Sequence, residues 1–272
     1  MRLINQQLSP PVLMALKLAP FIILIILYFI GSAARLADNP SDKLLPALSS
    51  IANAVDVMAF TPDRRTGEYL LWTDTWSSLK RLGAGLGIAT FLAMVIGIVI
   101  GILPFCRALL SPFVSFISMV PPLALLPILF ISLGLGETSK IALIVVGVAP
   151  IMIRDMAQTV IALPHEQIVK AQTLSASSGL VALRIVLPQV LPRLLASLRL
   201  QLGPAFLFLI AAEAISADSG LGYRIFLVRR YLSMEVIFPY VAWITFLAAS
   251  ADFAIDRFRR WLFPWSDLEG AK

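Results

Sequence analysis

Few side chains in this sequence could do chemistry, and most of them lie inside apolar runs. Glu213 falls in the run 195–217, and the pair Arg154-Asp155 in the run 141–162. A charged group at mid-bilayer depth costs about 2.5–3.5 kcal/mol on insertion scales, so it must face the interior of a bundle. Glu213 is read either as a polar group of a pathway or gate, or as half of an interhelical hydrogen bond. Adjacent residues on a helix do not face each other, so Arg154 and Asp155 each need a partner on another helix. Asp252 and Asp256 are the candidates. Pro121, Pro122 and Pro127 lie close together in the run 108–133. Each removes a backbone donor and clashes with the preceding turn, which predicts a broken helix. Broken helices are tolerated in membranes where they line a cavity or pack on protein. Pro121, Pro122, Pro127, Glu213 and Arg154 are therefore the candidates for a pathway wall or gate.

Other chemistries find little support. The chain has one cysteine, Cys106, and one histidine, His165, which speaks against an internal disulfide and a Cys/His metal cluster. Gly136-Glu137-Thr138-Ser139-Lys140 lacks the spacing of a phosphate-binding loop. Gly83, Gly85 and Gly87 imitate part of a dinucleotide fingerprint, but no strand precedes them. They are expected to allow close helix packing, as Gly97 and Gly101 would through a GxxxG spacing. His165 beside Glu166 reads as a solvated pair at a helix start. No catalytic residue, metal or cofactor is expected on this chain.

The elements that must position these residues are membrane helices. Of 272 residues, 59% are hydrophobic and 14% charged, with mean hydropathy +0.88. A soluble domain carries roughly 25% charged residues, so lipid must be the solvent for much of this surface. The net charge of +6 is scattered over loops and span ends, which argues against nucleic acid as a partner. Apolar runs at 18–34, 82–103, 108–133, 141–162, 195–217 and 236–255 predict about six transmembrane helices with both termini on one side. Arg2, Lys17 and the small residues Ser32-Ala33-Ala34 give the first run some features of a cleaved signal, but the spans that follow favour its retention. The rule that basic residues stay inside orients the chain weakly. It places residues 1–17 and 263–272 in the cytoplasm and leaves Arg64, Arg65, Lys80, Arg81, Arg229 and Arg230 outside. The long external loop 35–81 holds one amphipathic helix, with Leu44, Leu48, Ile51, Val55 and Met58 at three- and four-residue steps.

The cytoplasmic segment 163–194 is long and basic, and it ends in Leu187-Pro188 and Leu191-Pro192. A turn is expected near Ser175 to Ser178 between two short helices. Pro188 and Pro192 are expected at a helix start, where proline is tolerated. This spacing resembles the coupling loop of ATP-binding-cassette (ABC) importer permeases. So do Val120-Pro121-Pro122-Leu123-Ala124 with Gly134-Leu135-Gly136-Glu137, Ala211-Ala212-Glu213 with Gly220-Leu221-Gly222-Tyr223, and Pro264-Trp265. The resemblance is to the nitrate, sulfonate and taurine class and covers roughly residues 40–265. The family's EAA corresponds here to Val169-Lys170-Ala171, its glycine to Ser175, and its final LP to Leu187-Pro188. The leading glutamate is absent.

The resemblance implies an all-α, type I importer-like membrane fold whose 163–194 loop couples to an ATPase. Val169, Lys170, Ala171, Leu174, Ser175, Leu187 and Pro188 are the positions implicated, with apolar docking through Ala171 and Leu174. It further implies a second permease copy, a cytoplasmic ATPase dimer that holds the ATP and Mg, a periplasmic binding protein, and residence in the bacterial inner membrane. The solutes implied are small and polar and contain nitrogen or sulfur, like nitrate, sulfonates or taurine; the TPDRRTGEYLLW and GYRIFLVRRYL segments add a hint of urea-, guanidine- or amide-related compounds. A gradient-driven carrier is the rival reading. It predicts an inverted repeat between halves, which is not found, and it leaves the long basic loop without a purpose.

Overall fold

The computed structural model describes residues 9–39, 42–64 and 66–267. Arg65 and the ends of both expected cytoplasmic tails lie outside the described residues. The described residues contain helices and no strand: α1 (Pro10–Asp38), α2 (Leu48–Ala59), α3 (Leu70–Ile102), α4 (Pro104–Ile117), a 3-10 turn Pro122–Leu125, α5 (Leu126–Leu133), α6 (Glu137–Ile161), α7 (His165–Thr173), α8 (Ser178–Val181), a π turn Ala182–Val186, α9 (Leu187–Leu200), α10 (Leu202–Ser216), α11 (Leu221–Arg229) and α12 (Met234–Leu262). Five stretches are long and apolar enough to cross a membrane, or seven if each of two bent helix pairs counts as one span. This is the all-α membrane architecture expected from composition.

The core is organised by α3 against α6, the most extensive helix pair in the fold. Gly85, Ala89, Ala93, Gly97 and Gly101 recur every four residues along α3 and are all buried. A Cβ on Gly97 would lie 2.5 Å from Met156 Cβ, and one on Gly85 2.7 Å from Ile144 Cγ2. Small residues at this spacing let two backbones approach closely, and that packing is one of the contributions that drive helix association in lipid. Gly83 and Gly87 face open space instead. Of the three alternating glycines only Gly85 packs, because a helix turns neighbours two apart onto different faces.

Helix α1 begins at Pro10 rather than near 18 and α12 runs on to Leu262 rather than 255, and two boundaries differ further from the sequence expectation. Helix α3 begins at Leu70 rather than near 82, which puts Lys80 and Arg81 inside a helix instead of a loop. The helix after the turn begins at Ser178, well before 195, and Ser178–Leu200 alone is long and apolar enough to span. The prolines explain the second difference. Pro188 has no N–H to donate to the carbonyl four residues earlier. The preceding turn widens, so that Leu187 N donates to Ala182 O, and Gln189 Nε2 donates to Ile185 O at 2.9 Å. The helix thereby continues through Pro188, and Pro192 lies inside α9 rather than at its start.

Helix α2 forms where amphipathic spacing predicts one, although Leu44 precedes it. Its Ile51, Val55 and Met58 face Trp243 and Phe246 of α12 across an apolar groove of about 560 Å³. Helix α1 is barely covered by the rest of the chain. Tyr28 Oη, which donates to Pro46 O at 2.7 Å, and Ser32 Oγ, which donates to Leu45 O at 3.0 Å, tie its C-terminal half to the segment before α2.

Candidate functional site: a buried charge network, a broken helix and an exposed turn

At the end of the bundle where α3, α6 and α12 begin, polar residues of α3 form a stripe through Asp74, Ser78 and Arg81. All three are buried. Glu213, near the end of α10, is fully buried against them. It accepts from Ser78 Oγ at 2.8 Å, from Arg81 Nη1 at 2.7 Å and from Gly222 N at 2.8 Å. Arg81 also forks onto Glu137 of α6 at 2.5 and 2.8 Å and donates to Ser219 O at 2.7 Å. Lys140 reaches Glu137 at 3.0 Å. Beside this cluster, fully buried Asp74 accepts from Gly220 N at 2.9 Å, Arg224 Nε at 2.8 Å and Tyr240 Oη at 3.0 Å. Three carboxylates thus meet three cations, and each buried carboxylate is held by several donors. That is the condition under which buried charge is tolerated.

The turn between α10 and α11 is shaped by this network. Gly220 has φ +133°, and a Cβ there would fall 2.6 Å from Glu213 Oε1. Glycine is the residue that permits both the conformation and the approach. Leu221 N donates to Ser78 Oγ at 2.8 Å. The GLGY segment is therefore a backbone cradle around Glu213, closed from the other side by α3. Glu213 faces the interior as expected and makes interhelical hydrogen bonds as the buried centre of a network. The partners Asp74, Ser78, Arg81, Glu137 and Lys140 were missed. The steps of four and three from Asp74 to Ser78 to Arg81, continued by Gly85, are the signal that could have found them.

The proline break is sharp. Pro121 precedes the 3-10 turn, Pro122 opens it, and Pro127 lies in the first turn of α5. The axes of the two halves differ by 84°. Arg154 lies beside this break, and its Nη1 donates to Ser118 Oγ at 2.9 Å. The expected partners are corrected here. Asp155 pairs with Arg193 of α9 at 2.6 Å, while Asp252 and Asp256 of α12 pair with Arg199. Arg199 reaches both aspartates from α9.

In the 163–194 segment, α7 ends in a turn at residues 174–177 and Ser177 caps α8 by accepting from Leu180 N at 3.3 Å. Ser175 has φ +61°. Ser175 N donates to Gln172 O at 2.9 Å and Ala176 N to Ala171 O at 3.0 Å. These two bonds are the Schellman pair that ends a helix with one left-handed residue, a position that favours glycine. Leu174 is 83% exposed, while Ala171 is 8% exposed and packs into the chain's own core. Of the two expected apolar docking residues, Leu174 is available to a partner and Ala171 is not. Val169 and Lys170 are exposed, Leu187 is half-buried and Pro188 is exposed. Gln189 Nε2 donates to Gln167 Oε1 at 2.9 Å and holds α9 against α7.

A broken span, an exposed helical turn between long apolar helices, and a charge-locked opposite end are features of a transport subunit. Residues 89–267 match the family described as binding-protein-dependent transport system inner membrane component. The chain belongs to that family. This permease is 34% identical to the taurine transport system permease protein TauC of Escherichia coli (strain K12) over 227 residues, 83% of this chain and 79% of that protein. It is 30% identical to the bicarbonate transport system permease protein CmpB of Synechococcus elongatus, over 72% of this chain and 69% of that protein. Its fold resembles a chain of the MetNI methionine ABC transporter in an inward-facing conformation, with TM-score 0.59 and 20% identity over 70% of this permease and 96% of that chain. The permease is thus a multi-pass inner-membrane component with an ABC-importer fold. Most of its buried network lies on helices within or just before the matched region.

Proposed function

We propose that this permease works as one of two identical membrane subunits of an importer. Two cytoplasmic ATPases dock at the α7 end, and a periplasmic binding protein delivers solute at the α11 end. The ATP and Mg reside on the ATPases. Both termini lie in the cytoplasm, and the solute is a small polar compound containing nitrogen or sulfur. The observation that carries the coupling role is the turn after α7. An exposed Leu174 projects from a helix end fixed by two backbone bonds, which suits a short element seated in a partner's groove. Movement of α7 would carry α6 with it. The α3–α6 glycine seam makes those two helices one body, so the displacement reaches the Arg81–Glu137 pair about 37 Å away along α6.

The test is ATP hydrolysis by the permease reconstituted in liposomes with the ATPase encoded beside it. The neighbouring binding protein would be added with taurine, other small sulfonates, nitrate, bicarbonate and urea in turn. Stimulation by one loaded form supports the reading and identifies the solute. A complex whose hydrolysis ignores the binding protein under every ligand would overturn it.

A further inference from the structure

A pocket of about 440 Å³ opens where α6 and α9 meet the 3-10 turn Pro264–Asp267 that follows α12. Its wall carries two guanidiniums, Arg193 from α9 and Arg259 from α12, with Thr159, Gln189 and Ser266 beside them. None of the described lining residues is acidic. Arg193 spends Nε and Nη2 on Asp155 at 3.1 and 2.6 Å, and its Nη1 makes no hydrogen bond among the described residues. Arg259 Nη1 donates to Ser266 Oγ at 3.2 Å, and Ser266 Oγ donates to Phe263 O at 2.8 Å, so the tail turn is folded back onto the guanidinium. Charge around the pocket is unbalanced. Arg193, Arg199, Arg257, Arg259 and Arg260 stand on α9 and the end of α12, against Asp155, Asp252 and Asp256. The same end is rich in exposed aromatic residues: Phe258, Trp261 and Trp265, the last of which also lines the pocket. Tryptophan beside arginine at a span end marks the headgroup level of a membrane protein. Away from the turn the surface becomes apolar. Arg193, Ala196 and Leu200 follow one face of α9 at steps of three and four, and Leu200 is 71% exposed.

We propose that this pocket seats the headgroup of an anionic phospholipid, with its phosphodiester between Arg193 and Arg259 and its acyl chains running along α9 past Ala196 and Leu200. Guanidinium forks match phosphate oxygens in geometry as well as charge. Basic pockets between membrane helices at the cytoplasmic surface are suited to anionic headgroups. A soluble phosphate would use the guanidiniums alone. The aromatic residues at the rim and the apolar face that leads away from it call for an amphiphile. A headgroup seated there bridges α9 and the tail turn, two elements that meet α6 close to its junction with α7. The inference rests on the reading that the α7 end faces the cytoplasm.

The test is native mass spectrometry of the full-length permease in detergent, titrated with phosphatidylglycerol and with phosphatidylcholine of the same acyl chains. Each basic residue near an anionic headgroup is worth about fivefold, so the first phosphatidylglycerol should be retained about tenfold or more tightly than phosphatidylcholine. Arg193→Gln combined with Arg259→Gln removes this preference. Arg230→Gln, at an exposed arginine of the opposite end, leaves it unchanged. Ala162→Glu puts a carboxylate on the pocket wall without breaking an ion pair. It also removes the preference, which keeps the test available if the double variant does not fold. An excess of sodium phosphate or glycerol 3-phosphate leaves the lipid bound. Displacement by either would show a soluble-phosphate site and overturn the proposal. So would equal retention of the two lipids, a preference that survives both pocket variants, or one lost equally in Arg230→Gln. The orientation is checked separately in intact cells with Cys106→Ser and Trp261→Cys. A membrane-impermeant maleimide that reaches the new thiol from outside would overturn the cytoplasmic placement of this end and leave the headgroup site standing.

Discussion

Arg81→Ala is the perturbation whose cost the structure fixes best. Arg81 is 5% exposed and holds Glu213, which is fully buried, at 2.7 Å. Removing the cation leaves that carboxylate with Ser78 Oγ and Gly222 N but no charge partner. Breaking a buried ion pair from one side costs about 3–5 kcal/mol, because the remaining charge stays desolvated. At 2–4 °C per kcal/mol for a protein of this size, Tm should fall by about 10 °C. The informative control is the cycle with Glu213→Gln. In the double variant no orphan charge remains, so it should be more stable than Arg81→Ala alone by about 1–3 kcal/mol. The assay is thermal unfolding of the purified permease in detergent, followed by tryptophan fluorescence, since Trp72 and Trp243 pack edge to face near the network. A double variant that is less stable than Arg81→Ala, with the two losses simply adding, would refute the argument that the orphaned carboxylate is what destabilises.

Three further outcomes are expected. Ser175→Gly should stabilise the end of α7 by about 0.5–1 kcal/mol, and Ser175→Val should weaken it by more, because Ser175 occupies a left-handed conformation; amide hydrogen exchange at residues 171–178 should slow in the first and quicken in the second, and equal exchange would refute the link. Gly97→Leu should prevent α3 and α6 from closing, since even a Cβ there falls 2.5 Å from Met156 Cβ, while Gly83→Ala meets nothing; size-exclusion profiles of the two variants should differ, and two monodisperse profiles would count against the seam. Leu174→Glu should abolish co-purification with the ATPase and leave the melting of the isolated permease unchanged, whereas Ala171→Glu, aimed into the core, should lower both; retained ATPase binding by Leu174→Glu would refute the docking role.

The helical class was legible because lipid imposes it: an open chain in hydrocarbon must satisfy its own backbone, and apolar length then counts the spans. The break at Pro121 and Pro122 was legible for a local reason, since a missing donor acts on its own turn. Arg81 was not, because basic residues just before an apolar run look like an interfacial flank. What makes Arg81 a core residue is a carboxylate 132 positions later in sequence, held at 2.7 Å. The same limit misassigned the partners of Arg154 and Asp155. Residue type said that charges on α6 needed counterparts; only the packing of α9 between α6 and α12 decided that Arg193 and Arg199 meet Asp155 and Asp252. Pro192 shows the converse, a strong local signal for a helix start that the wider π turn at 182–186 made unnecessary.

The two ends of α6 suggest why the network is built of charge and not of apolar packing. An apolar contact in lipid loses little when it opens, because hydrocarbon replaces it. A buried ion pair has no such substitute and resists opening until both partners regain solvation or new donors. Glu137 is 58% exposed on its side chain while Arg81 and Lys140, which hold it, are buried. Glu137 is thus the member able to exchange protein donors for water at small cost. Glu213, at the centre of the same network, is not. The start of α6 lies beyond the first seam contact at Gly85 and Ile144, and a local parting of that end from α3 would be absorbed first at Arg81–Glu137, with the Glu213 cradle and the α10–α11 turn staying intact. Glu137→Gln should then loosen the end of α6 while leaving the 219–222 turn protected from hydrogen exchange. Arg81→Ala should expose both. Equal deprotection of the two segments in Glu137→Gln would show that the network yields as one unit and that this ordering is wrong.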